Sequence, residues 1–281
     1  MTSSIPMTFK DLTRVTRVSA PTQRNSEPDE RVTFDIEVPD GWQQGAGAFG
    51  GYVLGVIVRA IEACVPDRAL RSLTAEIPSP VKPGAGRVVV EVLRAGQSVT
   101  VIAARLMQSG GLAAHAVAVL GSARKLEGAT DYVELAPPQV KSWQEIPAIP
   151  VEMRMLPAFA RHFEFRLAEG LPFQGAPKAG ATGWIRMRDP GPVKDAALVV
   201  AHVDAWWPAE FARFHAPRPM VTSAFSLQMV GGAAAWKTDA PLLHTSRTQA
   251  IRDGYVTEVR ELWTEEGELV ALNEQTMVIV K

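Results

Sequence analysis

The chain has 281 residues, of which 47% are hydrophobic and 21% charged, and its formal net charge is −1. This composition is that of a globular protein with one large domain or two ordinary ones, and without a basic surplus no nucleic-acid or anionic-membrane binding is expected. The single cysteine, Cys64, excludes an intrachain disulfide and a cysteine-cluster metal site. Neither a bilayer-length apolar run nor a signal-peptide pattern is found, so a cytoplasmic location is expected.

The first part of the chain predicts a polar tail followed by one compact repeat. Residues 1–30 are polar and are interpreted as an N-terminal tail. Val32–Val38 alternates apolar and polar residues, which predicts a half-buried strand. A glycine-rich entry then opens an apolar stretch from Tyr52 to Val65, long enough to favour a buried helix. Three strands separated by glycine turns complete a repeat over residues 31–125: Arg87–Arg94, Val99–Gln108 and Leu112–Gly121.

The same order of elements is predicted a second time after a linker. Residues 126–156 are rich in proline and scattered charges, which indicates a surface linker, and residues 157–281 form the second repeat. His162–Leu167 is interpreted as the counterpart of the first strand and Gly183–Arg188 as an added one. Asp195 is a predicted N-cap for a helix through Ala205. Four strands follow: Val221–Val230, Leu243–Ile251, Tyr255–Thr264 and Leu269–Val280.

The two repeats align on their turn glycines, with Gly96 beside Gly254 and Gly110 beside Gly267. Consecutive strands joined by tight turns imply antiparallel sheets, and a sheet wrapped around one apolar helix is the hotdog arrangement. We therefore predict an α+β fold, a tandem double hotdog. In this alignment Gln275 replaces Ala118 and Thr222 replaces Ser72, so polar residues are concentrated in the second repeat.

Two polar residues of the second repeat, Asp204 and Gln275, are predicted to point into apolar layers. Asp204 shares a helical face with Ala197 and Val200, and a carboxylate there must find hydrogen-bond partners or lose its charge. Gln275 shares a strand face with Met277 by period-two counting. These positions make both residues candidates for chemistry.

Thr222 is a third candidate whose orientation the pattern leaves open. Period-two counting puts it on the face of Ala224 and Ser226, opposite the bulkier Phe225 and Leu227. Periodicity alone therefore does not bring Thr222 to the other two residues.

Several motifs together resemble the acyl-CoA thioesterase II family, the double-hotdog thioesterases, over roughly residues 34–280. The matching segments are Phe49-Gly-Gly-Tyr-Val-Leu-Gly, Arg71-Ser-Leu, Pro80-Val-Lys-Pro-Gly, Val92-Leu-Arg-Ala-Gly-Gln-Ser, Val203-Asp-Ala, Val221-Thr-Ser-Ala-Phe-Ser-Leu and Leu269-Val-Ala-Leu-Asn-Glu-Gln. The chain departs from better-known members in Ser-Ala-Phe after Thr222, where they carry an acidic residue and a histidine, and in Asn273-Glu274.

The resemblance implies hydrolysis of acyl-CoA thioesters to free acid and CoA. It implies that Asp204, Thr222 and Gln275 hold the attacking water, with Asp204 as general base. Backbone N–H groups at a helix start, for which Gly50 and Gly51 are candidates, would polarise the carbonyl. No cofactor or metal is expected, because CoA is part of the substrate. The expected partners are acyl-CoA and further copies of the chain in a homo-oligomer, a dimer of double hotdogs or larger.

Other interpretations remain open at this point. A non-catalytic acyl-CoA or lipid-binding hotdog protein would have the same fold without an activated water. A hotdog enoyl-CoA hydratase would need an Asp/Glu–His pair, and no histidine lies at helical spacing from Asp204. Glu62 could be a second carboxylate in addition to Asp204, or a solvated helix residue. Gly45-Ala-Gly-Ala-Phe-Gly matches a dinucleotide-binding motif but follows no strand directly, and no G-x-S-x-G elbow occurs.

Overall fold

The computed structural model describes residues 7–18, 31–124, 127–128, 131–150, 156–192, 195–231 and 237–280. Its α-helices are α1 (Phe9–Leu12), α2 (Gly50–Cys64) and α3 (Ala196–Asp204). The strands of the first part are β1 (Thr16–Arg17), β2 (Val32–Val38), β3 (Gln43–Gln44), β4 (Gly47–Ala48), β5 (Ala69–Glu76), β6 (Gly84–Ala95), β7 (Val99–Gln108) and β8 (Gly111–Gly121). Those of the second part are β9 (Phe163–Glu169), β10 (Gly180–Met187), β11 (Met220–Met229), β12 (Leu242–Arg252), β13 (Tyr255–Trp263) and β14 (Leu269–Ile279).

Most strands belong to one large antiparallel sheet that contains both repeats. Within the described residues it has 12 strands, in the order β1-β2-β6-β7-β8-β5-β11-β14-β13-β12-β10-β9. The repeats join where β5 pairs with β11, and each repeat places its long helix against its own part of the sheet. The fold is the predicted α+β double hotdog, and the predicted strands of both repeats lie within a few residues of the observed ones.

One strand equivalence differs from the sequence interpretation. β10 pairs with β12 as β2 pairs with β6, and β9 lies outside β10 at the sheet edge. The segment Gly183–Arg188 is therefore the counterpart of the first strand, and the segment at His162–Leu167 is the added one. Both segments alternate apolar and polar residues, so their pattern does not tell which of them occupies the inner place.

The two long helices run antiparallel and touch through small residues. A Cβ atom on Gly51 would lie 2.9 Å from the Cα of Ala201, and one on Gly55 would lie 3.5 Å from the carbonyl oxygen of Ala197. Residues four apart share a helical face, so each helix offers a line of small residues to the other. This contact places the start of α2 beside the end of α3. No helix in the described part of the chain is both long and apolar enough to cross a membrane.

Part of the predicted N-terminal tail docks on the folded body. Phe9 of α1 is 1% exposed, its ring lies 5.5 Å from that of Trp42, and β1 pairs with β2. The hydroxyl of Tyr52 donates to the carbonyl oxygen of Leu12 over 2.8 Å. Residues 1–6 and 19–30 of the tail, and 125–126, 129–130 and 151–155 in or beside the linker, lie outside the described residues, so the division into tail, repeats and linker stays a prediction.

Phe9→Ala should destabilise the protein, because it removes a buried aromatic side chain that packs against Trp42. Such truncations cost roughly 3–5 kcal/mol in well-packed cores. The midpoint of urea unfolding should fall, whereas Met7→Ala, at a side chain that is 61% exposed, should leave it nearly unchanged. Equal midpoints for the two variants would mean that α1 of the N-terminal tail does not contribute to the core in solution.

Candidate functional site

The three residues singled out in the sequence are joined by hydrogen bonds. The Nε2 of Gln275 donates to Oδ1 of Asp204 over 3.0 Å, and Oγ1 of Thr222 donates to Oε1 of Gln275 over 2.8 Å. Gln275 is 1% exposed, and the Asp204 side chain is 9% exposed. The end of α3, β11 and β14 therefore bring a carboxylate, a hydroxyl and an amide together in a site with little water.

Thr222 reaches this site because β11 contains a β-bulge. The pairing of β11 with β14 shifts by one residue between Thr222 and Ala224. Thr222 is opposite Met277, and Phe225 is opposite Gln275, so Thr222 faces inward like Phe225. The face that period-two counting gave to Thr222 is therefore wrong. A bulge inserts one residue and reverses the alternation of inward and outward side chains beyond it. The residues Thr-Ser-Ala do not indicate a bulge.

Asn273 fixes the orientation of the Gln275 amide. Its Nδ2 donates to the carbonyl oxygen of Ser226 over 2.8 Å, which leaves its Oδ1 to accept from Nε2 of Gln275 over 3.0 Å. Gln275 therefore presents its two donors to Asn273 and Asp204 and its oxygen to Thr222. The side chain that departs from the family pattern at position 273 supports the site rather than disrupting it.

Asp204 ends its own helix and faces the start of the other one. The Gly51 N–H lies close enough to its carboxylate to lower the carboxyl pKa, and a Cβ on Gly50 would lie 2.7 Å from its Oδ2. The positive end of the α2 dipole and the free N–H groups of its first turn stabilise a negative charge at this point. Only glycine at position 50 lets the carboxylate come this close.

A buried ion pair that the sequence analysis missed lies beside Asp204. Arg260 and Glu258, both on the inner face of β13, are 2% and 0% exposed, and Nε of Arg260 donates to Oε1 of Glu258 over 2.8 Å. Nη1 of Arg260 lies 4.0 Å from Oδ1 of Asp204. The sequence contained a signal for this pair, because period-two counting puts both charged residues on the same strand face as Val256 and Leu262.

Opposing effects determine the protonation of Asp204. Burial raises the pKa of its carboxyl above the usual value, whereas Arg260, the Gln275 amide and the Gly51 N–H lower it, and the net direction is upward. A base with a raised pKa accepts a proton more readily than an ordinary carboxylate when it is ionised.

The first repeat has apolar residues at the five strand positions that correspond to this cluster. Ala118 and Gln275 each follow a turn glycine, Gly110 or Gly267, by eight residues, as predicted. Carried through the strand pairings, this alignment matches Thr222 with Leu70, Asn273 with Ala116, Gln275 with Ala118, Glu258 with Ile102 and Arg260 with Ala104. The match of Thr222 is thus to Leu70 and not to Ser72, which is instead the counterpart of Ala224. Both strands bulge at the same place, so the two repeats keep one register there, two residues away from the sequence alignment. At these five strand positions one repeat is polar and the other is apolar.

The histidine and the second carboxylate considered in the sequence analysis lie away from this cluster. The fully buried ring of His202 makes hydrogen bonds with the Leu198 carbonyl and the Met187 N–H, as a packed histidine does. Glu62 follows Gly50 by 12 residues in α2, which separates it from the Asp204 end by about 18 Å of helix rise. Burial and the nearby Asp195 raise the pKa of Glu62 to about 7, against a smaller lowering by Arg59.

Glu62→Gln should make the stability of the protein depend less on pH. The folded pKa of about 7 exceeds the ordinary value of 4.5, so the wild type loses stability as pH rises through this window. The variant should therefore unfold at higher urea concentration than wild type at pH 8, with a smaller difference at pH 5. Glu274→Gln, at an exposed position, controls for the lost charge. A difference that does not change with pH would contradict this account.

Two family models match most of the chain. The acyl-CoA thioesterase N-terminal domain matches residues 38–121, and the acyl-CoA thioesterase C-terminal domain matches residues 133–279. No curated protein is similar enough to count as a match.

Solved structures share the fold over nearly the whole chain. A hotdog-fold protein of unknown function from Alicyclobacillus acidocaldarius has a TM-score of 0.83 at 22% identity, with 99% of each chain covered. A tesB protein from Mycobacterium avium subspecies paratuberculosis has a TM-score of 0.74 at 16% identity, covering 97% of this chain and 98% of its own. The acyl-CoA thioesterase II TesB2 from Mycobacterium marinum has a TM-score of 0.68 at 16% identity, with the same coverage. With both thioesterase domains matched in order, the chain belongs to the acyl-CoA thioesterase II family, enzymes that hydrolyse acyl-CoA thioesters.

Proposed function

We propose that this enzyme hydrolyses acyl-CoA with a water molecule that Asp204, Thr222 and Gln275 position. The observation that carries the proposal is the continuous hydrogen-bond chain from Thr222 through Gln275 to Asp204. The hydroxyl of Thr222 donates its hydrogen bond to Gln275, so its oxygen can accept a hydrogen bond from a water. Asp204 can accept a second hydrogen from the same water, which leaves the water oxygen free to attack.

The reaction then needs one proton acceptor and no covalent acyl-enzyme. Asp204 removes a proton from the water as its oxygen bonds to the thioester carbonyl carbon, forming a tetrahedral intermediate. The intermediate collapses by breaking the carbon–sulfur bond, and the proton on Asp204 passes to the departing CoA thiolate. One water and one acyl-CoA give one carboxylic acid and one CoA.

The start of α2 supports the proposed role of glycine N–H groups at the oxyanion. Among the described residues none accepts the Gly50 N–H, whereas the Gly51 N–H acts on Asp204 and lowers its pKa. The Gly50 N–H is therefore the better candidate to polarise the thioester carbonyl, with the helix dipole adding to its effect. The oxyanion role of both glycines stays a prediction.

The two competing functions are weaker on this geometry. A hydratase requires a histidine paired with the carboxylate, and His202 is instead held by Leu198 and Met187. A pure acyl-CoA binder does not require a carboxylate that burial keeps poised to accept a proton. Fatty acid metabolism, the cytoplasmic location and the homo-oligomer remain predictions.

Asp204→Asn should abolish turnover while leaving acyl-CoA binding in place, because the amide keeps the shape of the carboxylate but cannot accept a proton. Loss of a general base reduces the rate by roughly 100- to 10,000-fold. Release of CoA thiol, followed with a thiol reagent across acyl chains from acetyl to palmitoyl, measures the effect. Asp35→Asn, at a side chain that is 55% exposed, is the matched control. Wild-type turnover in Asp204→Asn would remove Asp204 as the base, and a wild type inactive on all these substrates would favour the binding protein.

Gly50→Ala should lower the turnover number without unfolding the protein. A methyl group there would lie 2.7 Å from Oδ2 of Asp204, so the carboxylate must move away from the helix start. Displacing a catalytic group by about 1 Å can reduce the rate by roughly 100-fold. Gly111→Ala, where the nearest atom lies 3.9 Å from the added Cβ, should retain wild-type activity. Equal turnover numbers for both variants would show that the close approach is dispensable.

A further inference from the structure

The Arg260–Glu258 pair on β13 is the feature of the second repeat that the proposed chemistry leaves unused. Both side chains are almost completely buried, and their hydrogen bonds are accounted for. Oε2 of Glu258 accepts from the backbone N–H of Ala209 over 2.7 Å, and Oε1 accepts from Arg260. Taking two charges out of water is unfavourable, and such a pair is often no more stable than two apolar residues of similar volume.

The first repeat shows that the fold itself does not need this pair. It builds the same strand with Ile102 and Ala104 at the corresponding positions, both 0% exposed. The charges of β13 occur only in the repeat that carries Asp204. They are therefore expected to act on the site rather than on the fold.

The contacts of Arg260 are directed at the end of α3. Its Nη1 donates to the carbonyl oxygens of Val203 and Asp204 over 3.0 and 3.2 Å and lies 4.0 Å from Oδ1 of Asp204. A carboxylate on the last residue of a helix sits at the negative end of the helix dipole, which disfavours its charge. The guanidinium binds the unpaired carbonyls of this end and places a positive charge beside the carboxylate.

We propose that Arg260 is a positioning residue for thioester hydrolysis, holding the last turn of α3 and keeping Asp204 an ionised base, with Glu258 fixing the guanidinium. This inference rests on the proposed role of Asp204. Arg260 touches no reacting atom, and its proposed effect on the reaction is exerted through Asp204.

Near pH 7 the other titratable groups around Asp204 carry no charge, so the ion pair is the charged group that acts on its carboxylate. His202 on α3 and His244 on β12 are both fully buried. Burial lowers the pKa of His202 to about 4, and burial together with the charge of Arg260 lowers that of His244 well below its usual value. Both rings are therefore neutral near pH 7. The start of α2 offers Asp204 a backbone N–H, and β14 offers the amide of Gln275, neither of which titrates.

The test uses the opposite signs of the two buried charges. In wild type kcat/KM should fall on the acid side as Asp204 takes up a proton. Arg260→Met removes the positive charge, so this acid limb should move to higher pH by about one unit or more. The charge of Asp204 raises the pKa of Glu258, which shows that the two carboxylates repel each other. Glu258→Gln removes one of the two charges, so the limb should move to lower pH. Arg260→Lys keeps the charge, so its limb should stay near that of wild type although the hydrogen bonds are altered.

Two further variants separate this effect from damage to the fold. Arg260→Met alone leaves a buried carboxylate unpaired, so the double variant Glu258→Gln/Arg260→Met, which contains neither charge, is measured alongside it. Its limb should still move upward, because the positive charge 4.0 Å from Asp204 is lost, but by less than in Arg260→Met, because the repelling charge of Glu258 is lost as well. Arg247→Met breaks a comparable pair with Glu261, 3.1 Å apart, whose arginine is 58% exposed, and should shift no limb.

A folded double variant with an acid limb at or below the wild-type pH would overturn the inference. So would single variants at Arg260 and Glu258 that shift the limb in the same direction, as a merely structural defect allows. Failure of the proposed function is distinguishable. If Asp204→Asn retains turnover, the base assignment fails, whereas an inactive Asp204→Asn with unmoved limbs contradicts only the role of Arg260.

Discussion

The contact between the start of α2 and the end of α3 is the constraint on which the site depends. Asp204 stands at the end of its own helix, where the dipole disfavours a negative charge. The antiparallel contact through Gly51 and Ala201 supplies the positive end of the other helix at the same point. A larger residue at Gly50 or Gly51 would separate the helices and leave the carboxylate buried without its backbone donor. Helix packing therefore determines the surroundings of the proposed base.

Comparison of the two repeats separates what the fold requires from what the chemistry requires. Both repeats build the same strands around a helix, but one lines them with Leu70, Ala116 and Ala118 and the other with hydrogen-bonded polar groups. Buried polar groups are tolerated only when each finds a partner, and in the second repeat the chain from Ser226 to Asp204 meets this condition. The first repeat, which is apolar at the corresponding strand positions, has no such network to satisfy.

Much of the fold and part of the site could be predicted from periodicity. The strand around Gln275 and the helix capped by Asp195 are where the pattern put them, because burial on one face imposes period two on strands and a period near four on helices. The inner charges of β13 could have been read in the same way. The bulge at Thr222 and the order of β9 and β10 could not be predicted in this way. A bulge depends on how two whole strands pair, and the edge position depends on which of the two strands pairs with β12.

The sequence by itself determined that the chain is a duplicated α+β protein with its polar residues in the second copy, because hydrophobic spacing and turn glycines are local and repeat along the chain. Tertiary structure alone decided that Asp204, Gln275 and Thr222 meet, and that Arg260 stands behind them. These side chains come from four elements separated by up to 71 positions between Asp204 and Gln275. Distances of a few ångströms between them follow from sheet register and helix packing, which no single segment encodes.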